Sequence, residues 1–397
     1  MLAPVGLHEV VVDTDDAAAA LSAFNADELV VSASVDFTRQ IAGAATDPEY
    51  ATQWALPQIG WEDVHGVASY AGNVSLAVLD TGVDAAAPDL AGRIGPGWSF
   101  DGSDPGTDPH GHGTHTATIA AASADDGVGI AGVAYVNTTV MPVKVLGANG
   151  TGTDSDVIAG LVWATDLGAD VAVLTFAAAG YSAALQAAID YAWANGVVLV
   201  AAAGNDGSTT PSYPAGSARV VGVGATAPDD SMWPASNQSD AVFLNAPGVN
   251  VLASDSSGTV GVTGTSASAA VTAGAAALLR AIDPGATNAM IVGRLARWAD
   301  PITGPGNGRL DVGAASTDMS EDGATPLGAP EGGPIVSSYV AAVARTWTGA
   351  GGTNFNAAGS WSPAGVPTAA DALTVPGAVA SGNYPVINAT SGSGLAA

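Results

Sequence analysis

An α/β fold built around a mostly parallel central sheet is what this chain predicts, on three observations. Between Val74 and Val312, apolar β-branched runs alternate with helical segments, the rhythm of right-handed strand, helix, strand crossovers. The runs read as strands of a buried parallel sheet, which puts helices on both of its faces. Residues able to do chemistry stand directly after such runs, at the carboxyl edge where open α/β sheets form their sites.

Taken in order, Glu9 to about Phe37 reads as strand (EVVVD), helix (Ala17 to Phe24) and strand (VVSASVDF), a small α+β unit, followed by a polar stretch from Thr38 to Tyr50. The main body then runs VSLAVL, a helix after His112, VMPVKVL, a helix from Asp156 to Leu167, VAVL, a helix from Ala183 to Ala194, and VVLVAAA. After about Thr317 the rhythm stops, and EDGATPLGAPEGGP reads as a linker. Short strand-like pieces around RTWTG, GSWSP, DALTV and YPVIN then suggest a small β-rich module. The expected division is 1–45, 46–317, 318–339 and 340–397.

The 397 residues are 48% hydrophobic, enough for a sizeable core. Nine basic residues stand against 37 acidic ones, for a net charge of −28, and Lys144 is the only lysine. Such a surface repels nucleic acid and anionic membranes. Most of the acid is Asp spread along loops, which suits a salt-adapted, solubilising surface or a set of cation sites. Cysteine is absent, so any staple must be something other than a disulfide, with Ca²⁺ the obvious candidate. No apolar run is expected to reach the length of a membrane span, since Gln186, Asp190 and Asn205 interrupt the most hydrophobic stretch. Met1 to Val11 lacks the basic-then-apolar build of a signal peptide.

Four short strings carry the chemistry: DTG at 80–82, HGTH at 112–115, GN at 204–205 and GTS at 264–266. Asp80 ends a strand, His112 starts a helix, and Ser266 opens the small-residue helix ASAAVTAGAAALL, where a helix N-terminus favours a developing oxyanion. Asn205 follows a strand and offers an amide donor. Together they are an acid, a base, an oxyanion donor and a nucleophile. Singly, each has an ordinary alternative: a turn former, a helix cap, an N-cap. A scaffold protein without activity, presenting the β-rich tail, stays open, as does a lipid or ester hydrolase. The latter normally carries GxSxG where this chain has GTSAS.

The order acid, base, nucleophile, with the Asn before the last, resembles that of the subtilisin-like serine proteases and not that of chymotrypsin or the α/β-hydrolases. The resemblance extends from about Asp47 to Ala315 through VSLAVLDTGVDAAAPDL, HGHGTHTATIAAASADDGVGIAGVA, VVLVAAAGNDG, TGTSASAAVTAGAAALL and GNGRLDVGAA. It implies a three-layer sandwich and a secreted, monomeric endopeptidase acting on polypeptides. It also implies a triad of Asp80, His112 and Ser266, with Asn205 as oxyanion donor. Thr175, Phe176 and Ala177, with Ala203 and Gly204, would flank the substrate backbone, and Ser212 would lie near the floor of the S1 pocket.

The same resemblance implies a Ca²⁺ site from Asp47, Asp89, Ser123, Asp126, Val128 and Ile130. Asp101, Asp104 and Asp108, just before GHGTH, suit a second, weaker one or a plain flexible loop. Residues 8–37 resemble the later half of an inhibitory pro-segment, with cleavage expected between about Thr38 and Asp47. The chain departs from the family where Thr175, Phe176 and Ala177 replace S-L-G, which would reshape S1. It departs again where Ala267 to Ala270 replace M-A-S-P, and where Thr118 puts bulk at a usual Gly.

Overall fold

The computed structural model describes residues 45–328 and three further strands. The expected pro-segment up to residue 44, half of the linker and most of the C-terminal module lie outside the described residues. Within that last region, Arg345–Trp347, Trp361–Ser362 and Leu373–Thr374 form a small sheet, matching three of the four strand-like pieces; YPVIN lies outside the described residues.

The main sheet has seven parallel strands: β1 (Val74–Asp80), β2 (Trp98–Ser99), β3 (Thr138–Lys144), β4 (Val171–Leu174), β5 (Val198–Ala202), β6 (Val220–Thr226) and β7 (Leu244–Pro247), in the order β2-β3-β1-β4-β5-β6-β7. The helices are α1 (Ala55–Gln58), α2 (His112–Ala121), α3 (Asp154–Asp166), α4 (Ala183–Ala194), α5 (Thr265–Ile282), α6 (Asn288–Arg297) and α7 (Val312–Ser316). From β1 the chain adds β2 and β3 on one side, then crosses back to add β4 on the other. The order therefore reverses between β1 and β4, and at such a switch point the two strand ends diverge and leave a crevice.

Alternate residues of each strand enter different layers. Leu76, Val78, Val171, Val173, Val198 and Val200 face a core shared with α2 and α5. Ala77, Leu79, Ala172, Leu174, Leu199 and Ala201 face a second core with Val157 and Leu161 of α3 and Leu185 and Ile189 of α4. Both faces being covered, the strands need apolar residues at every position, which is why they read as unbroken apolar runs.

Two sequence expectations shift. Helix α3 starts at Asp154 rather than Asp156, because Thr153 and Asp156 close a capping box. After β5, the connections to β6 and β7 contain no helix; α5 lies across β4, β5, β6 and β7 and covers that face, with α6 also packing on β5. This helix is also long and apolar enough to cross a membrane by composition, correcting the expectation that no segment is. With 83% of it buried inside the fold, it is a core helix. Before it stands an antiparallel hairpin, β8 (Val251–Asp255) and β9 (Gly258–Val262).

The alanine and glycine content of α5 lets it lie directly on α2. A Cβ at Gly274 would stand 2.6 Å from Ala120 O and 2.7 Å from the Val133 side chain. Replacing Gly274 by Val should therefore cost about 1–3 kcal/mol through overpacking. Urea unfolding would show this as a lowered midpoint; an unchanged midpoint would mean the two helices are not in such close contact.

Candidate active site

Asp80 closes β1 with no exposed surface, at the switch point between β1 and β4. Its carboxylate accepts from the Thr81 N–H at 2.7 Å, the Thr116 hydroxyl at 3.3 Å and the Thr175 hydroxyl. His112, on the first turn of α2, completes the set: its Nδ1 lies 2.8 and 2.9 Å from the two Asp80 oxygens. Burial would push the Asp80 carboxyl up, but the charge and hydrogen bond of His112, with the Thr175 and Thr81 donors, hold it below its ordinary value. Burial likewise lowers the His112 imidazole, and the Asp80 charge and hydrogen bond, helped by Asp108, raise it past its ordinary 6.5.

Ser266 stands in the first turn of α5, half-buried, with its hydroxyl donating to the Thr175 carbonyl at 3.0 Å. Thr175 thus serves both ends of the site, its side chain on Asp80 and its carbonyl on Ser266. Asn205 is exposed at the turn after β5. Its Oδ1 accepts from the Thr265 N–H and hydroxyl, both at 2.9 Å, and that hydroxyl accepts from the Gly204 N–H at 3.0 Å. With the oxygen so committed, the Nδ2 donor is turned outward beside Gly264.

Sequence reasoning missed the residues that hold these groups. Thr265 orients the Asn205 amide. Asn237, 1% exposed, braces the same turn, accepting from Asp206 N at 3.0 Å and Ser208 N at 2.9 Å while its amide donates to Ala203 O at 2.9 Å. Asn237 belongs to no motif, so nothing in the string SNQSD marks it.

Thr175 and Ala203 are buried, Ala177 is exposed, and the Phe176 ring packs on the core layer of α3 and α4. Ser212, 8% exposed, donates to the Ala203 carbonyl, and Tyr213 pairs its backbone with Ala178 at 2.9 Å in both directions, closing this wall. Thr118 is fully buried; its hydroxyl accepts from Ser254 N and donates to Ser254 O, each at 3.1 Å, so the added bulk is absorbed by stitching α2 to β8. Beside it, His115 pairs with Asp255 at 3.1 Å.

Loop 123–130 wraps around buried Asp89, which accepts from Ile130 N at 3.2 Å through its carboxylate and from Ser123 N at 3.0 Å through its carbonyl. Asp47, 4% exposed, accepts from Asp125 N at 3.0 Å, and its Oδ1 has no partner. Asp126 accepts from Val128 N at 2.9 Å. Burial, with added repulsion from Asp126, raises the carboxyls of both Asp47 and Asp89. Mutually repelling carboxylates with an orphaned oxygen make a hard, anionic donor set of the kind Ca²⁺ takes. Among the described residues, however, no three His, Asp or Glu side chains are gathered into one metal-ligand cluster.

The three aspartates of the second suggested cation site hold the turns of their own loop. Asp101 and Asp104 accept from the Ser103 and Gly106 amides in separate turns. Both Asp108 oxygens are taken up by Thr81, Gly111 and Thr114.

The buried Asp80–His112 pair lies at the switch point of this sheet, and Ser266 at the start of α5 is tied to it through Thr175. The chain belongs to the subtilase family: the Peptidase_S8 family model, described as Subtilase family, matches residues 71–323. It is 36% identical over 291 residues to the thermophilic serine proteinase of Bacillus sp. (strain AK1), covering 72% of each chain. It is also 36% identical to thermitase of Thermoactinomyces vulgaris, over 66% of this chain and 93% of that one. Among solved structures, a protease from Pseudoalteromonas arctica PAMC 21717 superposes with a TM-score of 0.65 at 30% identity, covering 70% of this chain and all of the other. The chain is therefore a subtilisin-like serine protease.

The raised His112 value sets a pH dependence. An imidazole must be neutral to take a proton, so activity on a peptide substrate should be low in acid and rise with pH through a value above 6.5. A rate profile combined with NMR titration of His112 checks this; an acid limb below 6.5 would contradict the Asp80–His112 coupling.

Proposed function

We propose that this subtilase is a secreted, calcium-stabilised endopeptidase that cleaves peptide bonds through an acyl-enzyme on Ser266. The observation that supports the reading is the buried Asp80–His112 pair, with Thr175 bonded to Asp80 through its hydroxyl and to Ser266 through its carbonyl. Asp80 fixes the tautomer, leaving Nε2 unprotonated and facing the crevice. The Ser266 hydroxyl turns from the Thr175 carbonyl to that nitrogen, gives up its proton and attacks the scissile carbonyl. The oxyanion is taken by Asn205 Nδ2 and by the Ser266 N–H, a first-turn amide with no acceptor inside its own helix. His112 then protonates the leaving amine, and water, activated by the same imidazole, releases the acyl group. Thr175 to Ala177 and Ala203 to Gly204 would hold the substrate backbone, with Ser212 under the P1 side chain.

A fluorophosphonate probe should label Ser266 in protein freed of residues N-terminal to about Asp47, and no labelling of folded protein would sink the reading. Asn205→Ala should lower kcat by about 10²–10³ with little change in KM, since the amide binds charge present only in the transition state.

Calcium would sit with Asp47, Asp89 and Asp126 and the backbone oxygens of Ser123, Val128 and Ile130, neutralising the repulsion among those carboxylates. It supplies charge to hold loop 123–130 and takes no part in the acyl chemistry. Chelation should lower Tm by several degrees, and Asp47→Ala should abolish the difference between chelated and calcium-loaded protein. Equal melting in both states of the parent chain would remove the metal from the account. The pro-segment, as an inhibitor of its own catalytic domain, rests on the resemblance of residues 8–37. We take the mature enzyme to act as a monomer.

A further inference from the structure

Asp108, read from sequence as a possible cation ligand, makes contacts that point elsewhere. One oxygen accepts from the Thr81 hydroxyl at 2.7 Å and the Gly111 N–H at 3.0 Å; the other accepts from the Thr114 N–H at 2.8 Å and hydroxyl at 2.7 Å. The Thr81 hydroxyl in turn accepts from the Gly113 N–H at 3.1 Å. The residues on either side of His112, Gly111 and Gly113, therefore both have their amides fixed through Asp108 and Thr81. Thr81 is the neighbour of Asp80 and donates its own N–H to the Asp80 carboxylate at 2.7 Å. One side chain joins the turn after the acid to the first helical turn that carries the base.

We propose that Asp108 is a positioning residue of the acid–base pair, clamping the strand end at Asp80 to the start of the His112 helix. This rests on the reading of His112 as general base. The clamp also has an electrostatic part. His112 is the first residue of α2, where the positive end of the helix dipole disfavours an imidazolium. A carboxylate accepting from the Gly111 and Thr114 amides offsets that end, and Asp108 raises the imidazole after Asp80 has done so. The other titratable ring facing His112 is that of His110, with centroids 6.0 Å apart.

The test uses the full chain and reads kcat and KM on a peptide across pH, Tm, and the His112 titration by NMR. In Asp108→Asn, kcat should fall about tenfold or more with KM nearly unchanged, as misplacement of a catalytic group does. The acid limb of the rate and the His112 titration should both move to lower pH, and the displacement should shrink in molar salt. Asp108→Glu should keep the limb in place. Thr81→Val removes one arm of the clamp without touching the charge; it should lower kcat while leaving the limb where it is, and it keeps the proposal testable if Asp108→Asn does not fold.

A folded Asp108→Asn that loses only Tm, with limb and titration unmoved, overturns the proposal, as does a Thr81→Val of unchanged kcat. A parent enzyme whose acid limb does not follow His112 overturns the general-base reading instead, while the titration still reports whether Asp108 acts on the imidazole.

Discussion

Everything in this site follows from placing a carboxylate where water cannot reach it. Asp80 is fully buried at the end of β1, and a buried charge without partners costs several kcal/mol. The fold meets that cost with donors from separate elements: the turn after β1, the α2 residues His112 and Thr116, and Thr175 just beyond β4. Those donors meet only if β1 and β4 are neighbours and α2 crosses their ends. The strand order that reverses between β1 and β4 provides that arrangement. The sheet topology and the charge of one residue are in this sense a single constraint.

The proposed nucleophile is joined to this carboxylate by another route, through Thr175. Ser266 is delivered by α5, which crosses the sheet on small residues, and α5 is held against α2 where Gly274 meets Ala120. The proposed base and nucleophile are thus on two helices in direct contact, which meet through backbone and small residues rather than through long side chains. The hairpin leading into α5 is fastened to α2 as well, through Thr118 on the Ser254 backbone and His115 on Asp255. A threonine at the Thr118 position replaces close packing with two hydrogen bonds, so the departure from the usual residue changes how the helix is held without loosening it.

Most of the sheet was legible because its strands are buried on both faces: VSLAVL, VAVL and VVLVAAA announce themselves by unbroken apolarity. Strands β6 and β7 were not, since the connections around them lack helices and the alternating rhythm fails there. At the site, Asp80, His112, Asn205 and Ser266 stand within two residues of a glycine, in short strings that can be read locally. The residues that orient them do not. Thr265 and Asn237 act through backbone amides brought close only by folding, and no local pattern records which loop will arrive. Phe176 is a similar case. Its ring packs partly buried against the layer that holds Leu174, a contact that its place in the string LTFAA does not announce.

The acidity of the chain also takes on a structural reading. Only six of its 37 acidic residues are Glu, and the aspartates recur in one local geometry. Asp84, Asp101, Asp104, Asp126, Asp229, Asp255 and Asp318 each accept from the backbone N–H two residues on. A side chain one methylene longer does not close that ring as well, which is a reason for Asp over Glu that neither salt adaptation nor cation binding supplies. The loops of this protein are shaped by their own carboxylates. Where the geometry instead turns a carboxylate inward, onto buried donors at Asp80 or beside other acids at Asp47 and Asp89, the same residue type enters the proposed catalytic and calcium sites. What separates the two outcomes is burial and the company of donors, not the residue itself.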